Sequence, residues 1–200
     1  MVSSINEMYS KLPNLVFGFH GCTKETHDKV LHYHEHLNRS TNIYDWLGNG
    51  IYFWQNDYGR ALEWASRYEE PAVIGAVIDL GYCLNLTDYK NNLLLKKGYE
   101  LLKADCELNN LELPKNHCRK NEDVFLRDLD CAVIQKIHSF NKENNLAEFD
   151  SVLGIFSEGD SAFPGSSFKE KTHIQMCIVN PNCIKAYFEP MEAFKEFCIP

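Results

Sequence analysis

Short apolar runs rich in β-branched and aromatic residues lie towards both ends of the chain, and the middle of the chain has helical periodicity instead. The run at 72–80 (AVIGAVIDL), for example, has the length and composition of a buried central strand. Strands so far apart in sequence can share a sheet only if the chain returns to it after the helical middle. The pattern therefore predicts an α+β fold whose sheet is assembled from distant segments.

Element boundaries follow from periodicity and from turn residues. Strands are predicted at 16–20, ending at a turn at Gly21, and at 51–54, 72–80, 83–86, 151–156, 173–179 and 184–188. Helices are predicted from Thr23 to about 37, from Asn56 or Asp57 to 68, from a Thr87 or Asp88 cap through 92–108, and at 126–140, with a polar loop at 114–123. We expect two small sheets packed around a cleft. Because no linker divides the chain, 1–200 is interpreted as one domain with a helical insert at about 88–145.

Charge and cysteine usage restrict the class of protein. The net charge is −8, and no basic block is present, which argues against unaided nucleic-acid binding. The sequence contains neither a signal-peptide core nor an apolar window of membrane-spanning length, so we expect a cytoplasmic protein without membrane association. The eight cysteines include no C-x-x-C pair, and we expect them to be reduced and mostly buried.

Three short segments set polar or aromatic side chains at predicted strand ends, where backbone can approach a ligand closely. They are 19–22 (FHGC), 50–53 (GIYF) and 173–176 (HIQM). In this order they resemble the motifs of ADP-ribosyltransferases of the diphtheria-toxin and poly-ADP-ribose-polymerase type, whose His-Gly-Ser/Thr strand end, Gly-x-Tyr-Phe strand and late acidic residue form a His-Tyr-Glu triad. The resemblance includes the helix after the tyrosine, the strand that follows it, and the Asn-Pro-x-x-Ile turn at 180–184. It says little about 94–145.

This resemblance implies a co-substrate, NAD, and roles for individual residues. The backbone of Gly21, in the segment that includes Cys22, would hold the nicotinamide carboxamide. His20 would hydrogen-bond the adenosine-side ribose, Tyr52 would pack against the nicotinamide, and Trp64 would close the pocket from the following helix. Breaking the glycosidic bond of NAD passes through an oxocarbenium-like state, so the site must hold nicotinamide rigidly and exclude water.

One position departs from the family pattern, because Gln175 stands where the family has its catalytic glutamate. An amide can hydrogen-bond a ribose hydroxyl but brings no negative charge to the developing cation. Two interpretations are open: either Glu158 or Asp160, in the loop after strand 151–156, supplies the carboxylate, or the substrate supplies the charge and Gln175 only orients the ribose. The family associates chain elongation with the glutamate, so the resemblance favours transfer of a single ADP-ribose.

Structural interpretations stand beside these roles. A histidine before glycine is commonly a hydrogen-bonded structural residue, and Tyr52 and Trp64 could be core aromatics; their joint order and spacing favour the functional interpretation. The histidine-rich segment 32–36 suggests a metal site, but on a helix only His32 and His36 face together, so no metal is expected. The loop at 159–172 is interpreted as a mobile flap beside the cleft.

The resulting hypothesis is a mono-ADP-ribosyltransferase that moves ADP-ribose from NAD to a macromolecular acceptor, a protein or a nucleic acid, and releases nicotinamide. Two alternatives are an inactive module that binds NAD or ADP-ribose, and an NAD glycohydrolase whose acceptor is water. A role as a microbial toxin or defence effector, with a neutralising antitoxin as partner, is a further hypothesis.

Overall fold

The computed structural model describes residues 15–118 and 125–199. In chain order these residues form β1 (Val16–Thr23), α1 (Lys24–His32), β2 (Ile51–Gln55), α2 (Tyr58–Ala65), β3 (Pro71–Ile78), β4 (Cys83–Asn85), α3 (Tyr89–Leu108), β5 (His117–Cys118), β6 (Phe125–Leu126), α4 (Asp128–Glu143), β7 (Ser151–Phe156), β8 (His173–Ile178), a 3₁₀ turn (Pro181–Cys183) and β9 (Ile184–Phe188). Residues 119–124, which include 119–123 of the predicted loop, lie outside the described residues. Within the described ranges, no helix has the length and apolar character needed to cross a membrane.

Seven strands form one sheet in the order β4-β7-β8-β2-β1-β3-β9. Neighbouring strands are antiparallel except β4 and β7, which are parallel. The α+β prediction is confirmed. In place of two small sheets there is one large sheet, because β2 pairs with β1 on one side and with β8 on the other. A separate two-stranded sheet contains β5 and β6, which are too short to leave a periodic signal.

Several elements end where periodicity did not predict: α2 ends at Ala65 instead of 68 and β3 at Ile78 instead of 80, and the largest differences are in α1 and β1. Helix α1 stops at His32 instead of near residue 37. His34 has a φ of 58°, in the left-handed region, which interrupts the helix, and residues 33–36 are exposed, so Leu37 enters the core from a loop. Strand β1 continues past Gly21 to Thr23, because β3 pairs with β1 along its whole length, as far as Pro71.

The two faces of the seven-stranded sheet carry separate cores. On the first, which we call the α1 face, Phe53 and Met176 are fully buried and pack with Val30 of α1. On the second, which we call the α4 face, Val152 packs with Ile134 of α4. Helix α2 covers the β1 and β3 end of this second face.

The cysteines are free thiols, as expected. Five of the eight are buried, namely Cys22, Cys106, Cys131, Cys177 and Cys183. Burial raises the pKa of Cys22, Cys131 and Cys183 to about 11. Those thiols are therefore neutral packing groups at physiological pH.

Gly21 lies so close to α2 that its hydrogen side chain is a packing requirement. A Cβ at this position would lie 2.2 Å from the carbonyl oxygen of Ala61. We expect Gly21→Ala to lower the free energy of unfolding by about 1–3 kcal/mol, the usual cost of overpacking, measured by urea denaturation.

Gly59→Ala, in α2 itself, is the matched control. An added Cβ there meets only Asp57 Oδ1, at 3.6 Å, so alanine should leave the stability unchanged or raise it by up to about 1 kcal/mol. Equal effects of the two substitutions would contradict the close approach of α2 to β1.

Candidate functional site

Strands β1 and β2 pair over only two positions and then separate. Their paired residues are Gly18 with Gln55 and Phe19 with Trp54. Strand β1 nevertheless continues to Thr23 in register with β3. The two strands therefore separate at the point where the FHGC and GIYF segments face each other.

The backbone of Gly21 is directed towards this separation. Asn56 N donates to Phe17 O at 3.0 Å, so the N–H and C=O of Phe17 point towards the β2 side. Backbone groups alternate sides along a strand, and β1 has no bulge in its pairing with β3. Phe19 and Gly21 therefore point their N–H and C=O groups the same way.

His20 spans the separation between the strands. Its Nδ1 lies 2.8 Å from the carbonyl oxygen of Tyr52. Since a carbonyl only accepts, Nδ1 carries the proton and Nε2 presents a lone pair. Nε2 has no hydrogen-bond partner among the described residues. Burial lowers the pKa of His20, outweighing the hydrogen bond to Tyr52, so the ring is neutral at physiological pH.

The Tyr52 hydroxyl forms hydrogen bonds that stabilise the turn before β2. It donates to Gly48 O at 2.6 Å and accepts from Leu47 N at 2.9 Å. The ring packs in the core of the α4 face, and burial raises the pKa of the hydroxyl far above its usual range. The phenol is thus a neutral side chain engaged in the fold.

Gln175 lies on the α4 face in the same row as Trp54 and Gly154, its neighbours on β2 and β7. Paired residues of antiparallel strands share a face. The Gln175 side chain is half-buried and makes no hydrogen bond within the described part of the chain. Its amide is therefore available to a ligand.

Glu158 connects the loop after β7 to α2. Its Oε2 accepts from Arg60 Nη2 at 2.8 Å and lies 3.8 Å from Nε2 of His173. Arg60 also pairs with Glu63, whose pKa is lowered mainly by its hydrogen bond with Lys171. The alternative carboxylate, at Asp160, is exposed. The structure thus brings a carboxylate, a guanidinium and an imidazole together beside the row of Gln175.

Three buried nitrogens in this region have no hydrogen-bond partner among the described residues. They are Trp54 Nε1, Arg60 Nε and His173 Nε2. A buried polar atom left without a partner costs about 1–3 kcal/mol. Their concentration on one face indicates a place where water or a ligand completes the hydrogen bonding.

Trp64 and Cys22 differ in their access to solvent. The Trp64 ring is 41% exposed, lies under the guanidinium of Arg67 at 3.2 Å, and contacts the Trp54 ring at 5.7 Å between centroids. Cys22 points into the core of the α1 face. Trp64 can therefore meet a ligand, whereas Cys22 offers only its backbone.

A cavity of about 790 Å³ lies between β7 and helices α3 and α4, and its described lining includes none of the predicted site residues. Its wall includes Gly154, the β7 neighbour of Gln175, together with Trp46 and Phe156. Arg127 lies over the Trp46 ring at 4.4 Å, and Trp46 stacks on His173 at 6.5 Å. The cavity and the row of Gln175 are thus neighbours on one face.

The structure brings some of the predicted residues together and separates others. His20 meets the backbone of Tyr52, but strand alternation places the His20 side chain on the α1 face and the side chains of Tyr52 and Gln175 on the α4 face. No protein-family model matches the chain, and neither the curated proteins nor the solved structures contain a significant match.

Two residues of this region, Arg60 and His173, had no assigned role in the sequence analysis. His173 was part of the HIQM segment, and its spacing of two from Gln175 could have placed both on one face of a strand. Arg60 carried no such signal, because its contact with Glu158 joins residues distant in sequence.

Buried histidines make stability depend on pH. Burial lowers the pKa of His20 and of His173 in the folded protein, whereas an unfolded histidine titrates near about 6.5. At a pH between the folded and the unfolded pKa, the unfolded chain binds more protons than the folded one. The stability that comes from keeping these histidines neutral is therefore complete above about pH 6.5 and is lost as the pH falls below it. We expect the free energy of unfolding to fall between pH 7.5 and 5.5, and His173→Gln to reduce that fall.

Urea denaturation at the two pH values measures this difference. The matched control is His36→Gln, because the His36 side chain is exposed and should leave the pH dependence unchanged. An undiminished fall in His173→Gln would contradict the desolvation of His173.

Proposed function

We propose that this protein is a mono-ADP-ribosyltransferase that uses NAD as donor. The observation that carries the proposal is the separation of β1 from β2 beyond Phe19 and Trp54, with the His20 ring across it and the Gly21 backbone at its edge. The three segments that resemble the ADP-ribosyltransferase motifs lie on the adjacent strands β1, β2 and β8. These three segments are far apart in sequence, and the pairing of β1, β2 and β8 in the sheet makes them neighbours.

The groups at this separation have the chemistry that a dinucleotide requires. A carboxamide needs one donor and one acceptor, and the N–H and C=O of Gly21 supply such a pair. The lone pair on Nε2 of His20 can accept from a hydroxyl of the adenosine-side ribose on the α1 face, which leaves Gln175 to the other ribose on the α4 face, so the dinucleotide would cross the separation between the strands. On the α4 face, beside Glu158, the unpartnered Arg60 Nε is a further donor, suited to an anionic group such as pyrophosphate.

In the proposed reaction the bond between C1′ of the ribose and the pyridinium nitrogen breaks. Its electron pair goes to nicotinamide, which leaves uncharged, while a nucleophile of the acceptor bonds to C1′ and loses a proton. Glu158 supplies the carboxylate that stabilises the developing cation, and the Gln175 amide orients a ribose hydroxyl. We prefer Glu158 to Asp160 for this role because Glu158 contacts Arg60 and lies near His173, whereas Asp160 is exposed.

We place the acceptor on the far side of Gln175 from β1. The order of strands β1, β2, β8 and β7 leads from His20 across Gln175 to Gly154, which lines the cavity of about 790 Å³. An acceptor entering from this side would approach the ribose opposite the donor groups. The helices that enclose the cavity would then select it, whether it is a protein or a nucleic acid. The toxin role, the cytoplasmic location and an antitoxin partner stay hypotheses.

Labelled NAD tests the proposal. Incubation with cell extract should transfer label to macromolecules and release nicotinamide, and His20→Ala should lower the rate at least tenfold. Gln175→Glu should raise the rate by about 10- to 100-fold, because it adds a charge where positive charge develops. Gln55→Glu is the matched control. Gln55 pairs with Gly18 and so projects from the α1 face, whereas Gln175 pairs with Trp54 and projects from the α4 face.

The rival functions give different outcomes in the same experiment. Free ADP-ribose produced without extract would identify a glycohydrolase, and calorimetric binding of NAD without products would identify a binding module. Absence of heat at millimolar NAD would overturn the assignment of the site altogether.

A further inference from the structure

A compact group of nitrogen and oxygen ligands lies on α1, apart from the site described above. We propose that His27, Asp28 and His32 bind a divalent transition-metal ion, with Zn²⁺ and Co²⁺ as the representative ions. One ligand atom of each residue lies within 4.8 Å of the other two. This proposal is independent of the proposed function.

Two of the three distances between these ligand atoms match those between ligands that share one ion, and the third, between the two imidazole nitrogens, is within 4.8 Å. Asp28 Oδ1 lies 3.0 Å from Nδ1 of His27 and 3.6 Å from Nε2 of His32. Zinc bonds to nitrogen and oxygen are about 2.0–2.2 Å long, so two ligands of one ion lie roughly 3–3.6 Å apart. Two imidazoles and one carboxylate are a ligand set that transition metals use with positions left open for water.

The end of α1 determines which histidine takes part. Asp28 and His32 are one helical turn apart and so lie on the same side of α1. His36 follows the end of the helix, so the expected pairing of His32 with His36 does not arise. The carboxylate of Asp28 takes the place of that second side chain.

A cation already lies where these ligand atoms converge. Lys24 Nζ is 2.8 Å from Asp28 Oδ1 and 3.3 Å from Nδ1 of His27. The Lys24 side chain is 49% exposed, so its ammonium can move into solvent when a metal ion displaces it. The same charge that now attracts an ammonium would attract a divalent cation more strongly.

The contact between His27 Nε2 and Glu189 orients the His27 ring so that Nδ1 faces Asp28. His27 is 3% exposed, and its Nε2 lies 2.7 Å from the carboxylate of Glu189, beyond β9. If the neutral ring donates its single proton to Glu189, Nδ1 faces Asp28 Oδ1 with a lone pair, and two acceptors then meet at 3.0 Å. A proton on Nδ1 or a cation beside the two atoms relieves this repulsion, and the ammonium of Lys24 now lies next to both. A carboxylate behind a histidine ligand is the usual outer partner in metal sites.

Titration of the reduced protein with Co²⁺, followed by visible absorption, and with Zn²⁺, followed by calorimetry, tests the proposal. A variant with Cys118 and Cys198 replaced by serine is the background, because these two cysteines are exposed and thiolates bind both ions. We expect one ion per chain, and Asp28→Asn and His32→Ala should each weaken binding at least tenfold.

Lys24→Gln gives the decisive result. Removing the competing ammonium should strengthen binding of Co²⁺ by tenfold or more. If these side chains form only ion pairs and no metal site, the Lys24→Gln protein would bind Co²⁺ no better than the background protein. His36→Ala is the matched control and should bind like the background protein. Equal affinities of the background, Asp28→Asn and Lys24→Gln proteins, with unchanged circular dichroism, would overturn the proposal.

Discussion

The geometry of the molecule depends on the register of β2, a strand of five residues. It pairs with β1 on one side and with β8 on the other, so that Phe19, Trp54 and Gln175 form one row across the sheet. A slip of one residue would exchange the two faces of β2 and move Phe53 from the core of the α1 face to the α4 face. The burial of Phe53 and Met176 prevents that slip, because both side chains are fully enclosed on the α1 face.

The separation of β1 from β2 is stabilised by the same side chains that make it a candidate site. A carbonyl that loses its ladder partner needs another donor. Nδ1 of His20 provides that donor to the carbonyl of Tyr52. On the β1 side, the close approach of α2 to Gly21 leaves no room for a side chain. The strands can therefore diverge without leaving the Tyr52 carbonyl unpaired, and backbone groups of β1 become available at the edge.

Much of the fold could be predicted from the sequence, because apolar runs between turn residues locate strands well. The strands Ser151–Phe156 and Ile184–Phe188 have the predicted bounds. Pairing could not be predicted, since periodicity says which face of a strand is buried but not which strand lies beside it. For this reason we expected two small sheets where the strands form one sheet of seven. The end of α1 was missed for a related reason: Leu37 keeps the helical spacing but is buried from a loop.

The candidate site divides in the same way. Motif order located His20, Tyr52 and Gln175, but only the register reveals that His20 and Gln175 project from opposite faces. Contacts between distant segments, such as Arg60 with Glu158, leave no local pattern in a sequence. Sequence reasoning therefore finds the residues of such a site more readily than the ion pairs that set its charge.

The pairing of Glu158 with Arg60 has a consequence for the proposed chemistry. A carboxylate held by a guanidinium at 2.8 Å has much of its charge neutralised and would stabilise a ribosyl cation poorly. Arg60 also pairs with Glu63, and a further anion that bound to its guanidinium would compete with Glu158 for the second Nη group. In the proposed function the pyrophosphate of NAD would be such an anion, and it would arrive together with the ribose that needs the carboxylate. Binding of the donor would then itself free the carboxylate of Glu158 from Arg60, beside the ribose where positive charge develops.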